Sequence, residues 1–197
     1  MSDWSAAILA GGRGRRLGGV VKPLLVIEGR TLLERQVEAL APLGVIPRLV
    51  APDATPFVSS GLEVVADVVD AGALGALYTA LVTATTPYVL VLAGDLPFVT
   101  TPFLAGLVAH RHEGDVVLPA PEGRSQPLCA VYAVTAAPVF AAAIAAGRLR
   151  VTDAVAALRT CVLDDGALAA FAADGRLLLN LNTRDDEAAA RRFAGEG

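Results

Sequence analysis

Ala6-Ala7-Ile8-Leu9-Ala10-Gly11-Gly12-Arg13-Gly14-Arg15-Arg16-Leu17-Gly18-Gly19-Val20-Val21-Lys22-Pro23 sets the fold. Ala6 to Ala10 is a short apolar run that stops at two glycines, the pattern of a fully buried strand feeding a tight backbone turn. In the loop beyond it, Gly11, Gly12, Gly14, Gly18 and Gly19 let backbone N–H groups approach phosphate oxygens. Arg13, Arg15, Arg16 and Lys22 would neutralise the charge of those oxygens. A flexible surface turn is the structural alternative, but it gives no reason for so many cations beside so many glycines straight after a buried strand.

Outward from this stretch, Leu24 to Ile27 can extend briefly and Glu28-Gly29-Arg30 reads as a turn. Thr31 caps a helix whose apolar positions Leu32, Leu33, Val37 and Leu40 form one stripe, ended by Gly44. Arg48 to Ala51 and Leu62 to Ala66 are predicted strands, and Leu74 to Thr83 a helix. Tyr88 to Ala93 is the strongest strand, a continuous apolar run that must be covered on both faces. Thr101-Pro102 supplies an N-cap and first helical residue for Phe103 to His110. Asp115 to Pro119 and Leu128 to Val134 are further strands, followed by a helix from Ala137 to Ala146 and a short one from Val151 to Ala157. Thr160 to Leu163 and Leu177 to Leu181 are the last strands, and Thr183 opens a terminal helix through Phe193. Strands alternating with helices predict an α/β protein with a doubly wound, mainly parallel sheet.

With 197 residues and 54% hydrophobic content, the chain suffices for one domain with one sizeable core, residues 1–197. The net charge of −4 argues against a generic polyanion surface, so no nucleic acid is expected as partner. Four of the 16 basic residues fall within ten positions, Arg13 to Lys22, which suits a small phosphorylated ligand. Cys129 and Cys161 stand far apart and the only histidines are His110 and His112, too few well-spaced ligands for a structural zinc site. The cysteines read as core residues, and the histidines as surface groups near a helix end. The opening residues lack a basic region and no apolar run approaches the length of a membrane span. The expectation is a cytoplasmic protein with reduced thiols and no membrane partner.

Lys22 is preceded by Val21 and followed by Pro23, which excludes a Walker A loop, and Leu17 stands three after Gly14, which excludes a dinucleotide fingerprint. A nicotinamide dehydrogenase is excluded with it. In a doubly wound fold the ligand sits beyond the carboxyl ends of the strands. There, Ala93-Gly94-Asp95-Leu96-Pro97 leaves the Asp95 carboxylate at the sheet edge, able to hold Mg²⁺ against phosphate or to make an Asx-turn into the proline. Leu179-Asn180-Leu181-Asn182-Thr183 closes another apolar run on polar residues, with a plain helix N-cap as the alternative. Asp67, after Val64-Val65-Ala66, is comparably ambiguous. Arg148 and Arg150 are either a solvated pair or phosphate ligands.

Taken together, these residues resemble the molybdenum cofactor guanylyltransferase family, the MobA-like nucleotidyltransferases. Leu9 to Gly12, Arg16, Gly18 and Lys22 match that family's L-A-G-G-x-x-x-R-M-G-x-x-x-K in register. Asp67 with Gly72-Ala73-Leu74-Gly75, Gly94-Asp95-Leu96-Pro97, Gln126-Pro127-Leu128-Cys129-Ala130 and Asn180-Leu181-Asn182-Thr183 match its later motifs in order. The resemblance implies a Rossmann-like fold of the nucleotidyltransferase, or nucleotide-diphospho-sugar transferase, type. It also implies Mg²⁺-dependent transfer of GMP from GTP to the terminal phosphate of molybdopterin, with release of pyrophosphate. The implied roles are Asp95, helped by Asn182, for Mg²⁺, and Arg16 and Lys22 for the phosphates. Leu9, Ala10, Gly11, Gly12, Arg13, Gly14 and Asp67 would contact the nucleotide. Gln126, Pro127, Arg148, Arg150, Asn180 and Asn182 are expected on the acceptor side. The resemblance allows a monomer or weak oligomer with transient contacts to other cofactor-biosynthesis proteins.

Four positions depart from the family pattern: Leu17 replaces Met, Val21 an acidic residue, Ala73 a proline, and Ala51 the Asn that several members carry. They bear on base contact more than on the reaction. Cytidylyltransferases of molybdopterin, which tend to read L-A-A-G, are the nearest rival, and Gly11 leans towards guanine. Sugar-1-phosphate nucleotidyltransferases share the Lys-Pro pair but have a longer arginine-to-lysine spacing. A catalytically silent nucleotide-binding regulator is the non-enzyme alternative, and it gives no reason to keep a metal carboxylate beside the cations.

Overall fold

Alternate residues of the first strand, β1 (Trp4–Leu9), feed two separate cores: Ala6 and Ile8 pack on one face of the sheet, Ala7 and Leu9 on the other. Strand side chains alternate in direction, so a run that is apolar throughout needs cover on both sides. The computed structural model, which describes residues 2–11, 13–14, 20–171, 176–181, 186 and 188, supplies that cover. Helices α1 (Leu32–Leu40) and α3 (Thr101–Ala109) bury Leu33, Leu40, Phe103 and Leu107 against the first face. Helices α2 (Gly72–Val82), α4 (Ala137–Ala145) and α5 (Val151–Val155) bury Leu77, Leu81, Phe140 and Val155 against the second.

The sheet continues through β2 (Arg48–Val50), β3 (Val64–Val65), β4 (Tyr88–Ala93), β5 (Val116–Pro119), β6 (Cys129–Ala133) and β7 (Thr160–Leu163). Their spatial order is β7-β5-β6-β4-β1-β2-β3. Only β6 runs antiparallel to its neighbours, and the other pairings are parallel. The fold is therefore α/β, Rossmann-like, with a mainly parallel doubly wound sheet. From β1 the chain winds outward to β2 and β3, then returns on the other side of β1 with β4. That reversal of direction opens a crevice at the carboxyl ends of β1 and β4, where folds of this kind bind ligands.

Local chemistry explains the elements that line the crevice. After the short 3-10 turn Lys22–Leu24, Val26–Ile27 and Arg30–Thr31 form a hairpin. Glu28 and Gly29 both have positive φ, as a two-residue hairpin turn requires. Thr31 then caps α1 reciprocally with Glu34. Helix α1 passes through the 3-10 turn Ala41–Leu43 to Gly44, whose φ of 70° closes it.

Three expectations need correction. Leu177 to Leu181 is no strand: Arg176–Leu178 is a 3-10 turn and no strand follows among the described residues. Leu177 and Leu181 are nonetheless buried, which accounts for the apolar alternation. Thr101 is the first residue of α3 and Thr100 its N-cap, because the Thr101 hydroxyl donates instead to the Ala39 carbonyl of α1 at 2.7 Å. In α1, the buried stripe residue is Gln36, while Val37 is half-buried. The terminal helix expected over Thr183 to Phe193 lies almost wholly outside the described residues. Among the described residues no helix is long and apolar enough to cross a membrane.

Candidate active site

Leu9 and Ala93 are partners in the ladder between β1 and β4, so the two strands end level. The next residues turn towards one another, with the Gly94 N–H donating to the Leu9 carbonyl at 3.0 Å. A side chain at Gly94 would place its Cβ 2.6 Å from Pro23 Cγ and 3.1 Å from the Leu9 oxygen. Glycine is therefore what lets Lys22-Pro23 lie against the Asp95 turn. The result is an ion pair: Lys22 Nζ donates to Asp95 Oδ2 at 2.9 Å. The other carboxylate oxygen, Oδ1, is buried and has no partner among the described residues.

Asp95 is held from behind. Gln36 Nε2 donates to the carbonyls of Ala93 at 2.7 Å and Leu96 at 3.1 Å, and the Leu181 N–H donates to the Asp95 carbonyl at 3.0 Å. Sequence reasoning missed Gln36, although an amide among the apolar stripe of α1 was the available signal.

A cleft of about 520 Å³ opens above this turn, a volume suited to a small organic ligand. Leu9, Ala10 and Gly11 line one wall, and Lys22, Pro23, Gly94 and Asp95 the floor. Gln126, Pro127, Arg150, Thr152 and Asn180 converge from the other side, brought there by the loop before β6, the start of α5 and the segment after Leu178. Pro127 is fixed by its carbonyl, which accepts the Tyr132 hydroxyl at 2.6 Å. Pro23 and Thr152 were not singled out in the sequence.

Asp67 follows β3 and faces the same region: its Oδ2 lies 3.8 Å from where a Cβ on Gly11 would stand. The neighbouring Val68 N–H donates to the buried Thr79 hydroxyl at 3.0 Å, which anchors the segment to α2. Partial burial, and then the nearby Asp70, push the Asp67 carboxyl above its usual range, and its Oδ1 is buried without a partner among the described residues. Arg13–Gly14 pairs antiparallel with Val20–Val21, which returns the loop to Lys22. Arg148 is exposed and does not line the cleft. Gly12, Arg16 and Asn182 lie outside the described residues.

At the amino end of the sheet a second group meets that the sequence did not suggest. His110, Glu113 and Cys161 bring their ligand atoms within 4.8 Å of one another. Glu113 spans the other two, at 2.7 Å from His110 Nδ1 and 3.4 Å from Cys161 Sγ. Cys129 is buried and its thiol is pushed up to about 12 by desolvation, whereas Cys161 is half-buried rather than in the core.

A lysine against a carboxylate in a switch-point cleft is suited to phosphates and a cation, and the family match makes the protein a nucleotidyltransferase. The chain belongs to the MobA-like NTP transferase family, whose model matches residues 6–160. It is 35% identical over 197 residues to a probable molybdenum cofactor guanylyltransferase of Chloroflexus aggregans, covering 97% of this chain and 95% of the relative. A molybdenum cofactor guanylyltransferase of Rhodopseudomonas palustris is 32% identical, with 96% and 93% covered. Among solved structures, molybdopterin-guanine dinucleotide biosynthesis protein A of Archaeoglobus fulgidus superposes with a TM-score of 0.86 at 26% identity, over 98% of this chain and all of the other. The 4-diphosphocytidyl-2C-methyl-D-erythritol synthase of Anaerococcus prevotii shares the fold, with a TM-score of 0.76 at 13% identity and 98% and 96% covered.

Proposed function

We propose that the protein transfers GMP from GTP to the terminal phosphate of molybdopterin, with release of pyrophosphate. The observation that carries the reading is the Lys22–Asp95 pair at the switch-point cleft, in a chain whose relatives are named for this reaction. An acceptor phosphate oxygen attacks the α-phosphorus, the bond from that phosphorus to the bridging oxygen breaks, and the electron pair leaves with pyrophosphate. No protein nucleophile is needed, so catalysis rests on positioning and charge stabilisation.

Lys22 supplies positive charge at the cleft floor, where the triphosphate lies in this reading. Asp95 fits a hard divalent cation, because its Oδ1 is a buried carboxylate oxygen with no partner among the described residues. Mg²⁺ bound there would screen the phosphate charge and polarise the α-phosphoryl group. Ala10 and Gly11 lie against the nucleotide, with Asp67 beside them. Gln126, Arg150 and Asn180 face it across the cleft and receive the acceptor. Arg16 and Asn182 are assigned to the phosphates and the metal, and Arg13 with the Gly12 and Gly14 backbone to the nucleotide.

Purified protein with GTP, Mg²⁺ and molybdopterin should release pyrophosphate and form the dinucleotide. Absence of both products would sink the proposal. Calorimetric titration of GTP against CTP decides the nucleotide, and GTP should bind more tightly. Within the protein an alanine Cβ at Gly11 would meet Pro52 Cδ at an ordinary 3.4 Å, so the fold itself does not demand glycine there.

A further inference from the structure

We infer that Gln36 is a positioning residue that sets the Asp95 carboxylate for the metal and phosphates; the inference rests on the metal role proposed for Asp95. One side-chain nitrogen donates both of its hydrogens to the turn, to the carbonyl of Ala93 on one side of Asp95 and to that of Leu96 on the other. The two contacts bracket Gly94-Asp95, so the turn cannot rotate about its ends without breaking one of them. Ala93 N–H to Leu128, Gly94 N–H to Leu9 and Leu181 N–H to the Asp95 carbonyl fix the remaining strands of the cradle.

Stability alone does not account for an amide at this place. Gln36 is fully buried among Leu32, Leu33 and Leu40, where an apolar side chain would fit the helix stripe. Its own Oε1 is buried with no partner among the described residues, and that desolvated acceptor offsets much of what the two hydrogen bonds contribute. What the amide supplies is geometry, and displacement of a metal ligand by a fraction of an ångström is enough to slow a transfer that depends on alignment. Gln36 touches no substrate: it does not line the cleft.

Gln36→Met keeps the length and volume of the side chain and removes both donors. Thr101→Val is the control, because it cuts the hydrogen bond from α3 to the Ala39 carbonyl and so loosens the same helix away from the turn. The measurements are GTP affinity by calorimetry with and without Mg²⁺, Mn²⁺ binding by electron paramagnetic resonance, and turnover across Mg²⁺ concentrations. For Q36M, metal-free GTP affinity should stay near that of the original protein. The gain in affinity brought by Mg²⁺ should fall about tenfold, and kcat about ten- to a hundredfold, the usual effect of losing a residue that orients a metal ligand. T101V should change neither. Should Q36M not fold, Gln36→Asn, which draws the amide back by one methylene, carries the same comparison. Equal metal-linked affinity and turnover in Q36M, or an equal loss in T101V, overturns the inference and leaves the proposed function standing. An original protein with no Mg²⁺-linked GTP affinity would remove that function and this inference together.

Discussion

The two ends of the sheet treat their polar groups differently. At the amino end, charged side chains meet partners. Asp3 accepts from Arg111 at 3.1 Å, Asp115 from Arg159 at 3.1 Å, and Glu113 sits between His110 and Cys161. At the carboxyl end, Asp67 Oδ1 and Asp95 Oδ1 are buried with no partner among the described residues, although both flank the cleft. Buried polar atoms are normally satisfied, so a concentration of orphans marks the place where the protein meets something else. The difference teaches that a site can be located by what its groups lack as much as by which groups they are.

The comparison breaks most visibly at Asp95. Asp95→Ala should lower pyrophosphate release by about a thousandfold or more, since it removes the carboxylate proposed to hold the cation. Unaltered turnover with an unaltered circular dichroism spectrum would remove Asp95 from the chemistry. Next comes Gly94→Ala, which forces a Cβ against Pro23 and the Leu9 carbonyl. Urea unfolding should report a loss of about 1–3 kcal/mol.

Asp67 gives a smaller and pH-dependent effect. Its carboxyl pKa is raised above the ordinary 3.8 in the fold, so ionisation costs the native state stability once the pH exceeds 3.8. Asp67→Asn should therefore raise the unfolding midpoint of the ligand-free protein at neutral pH. The gain should shrink as the pH falls through the shifted pKa and vanish below 3.8; a gain that persists in acid would show the shift is not its source. The smallest effect is expected at the opposite end of the sheet. Arg111→Ala should leave turnover unchanged and lower the unfolding midpoint slightly, more at low salt than at high, because the Asp3 pair is only partly buried. A loss of turnover in R111A comparable to that in D95A would erase the distinction between the two ends.

Much of this was legible in one dimension. Tyr88 to Ala93 and Thr160 to Leu163 are strands over the residues that their composition indicates, and Thr31 with Glu34 announces the start of α1. Lys22 and Asp95 could be singled out because each follows an apolar strand, and strand ends of such a sheet face the ligand. Leu177 to Leu181 misled because short apolar alternation is shared by strands and by buried turns. Thr101 misled by one position because a tertiary partner, Ala39, claimed the hydroxyl that a cap would have used. Gln36 was missed because its position within the apolar stripe of α1 hints at burial, while what its amide holds depends on neighbours distant in sequence.

The sequence by itself determined the layered α/β plan, the cation-rich first loop and the family. Those follow from periodicity and from residue order, which are properties of the chain alone. Only the tertiary structure decided that β6 runs antiparallel, that Lys22 lies 2.9 Å from Asp95 across 73 positions, and that Gln36 holds the turn that carries Asp95. Strand direction, ion pairing and the satisfaction of buried groups depend on which distant segments are brought into contact, and packing settles that only once both faces of the sheet have been covered.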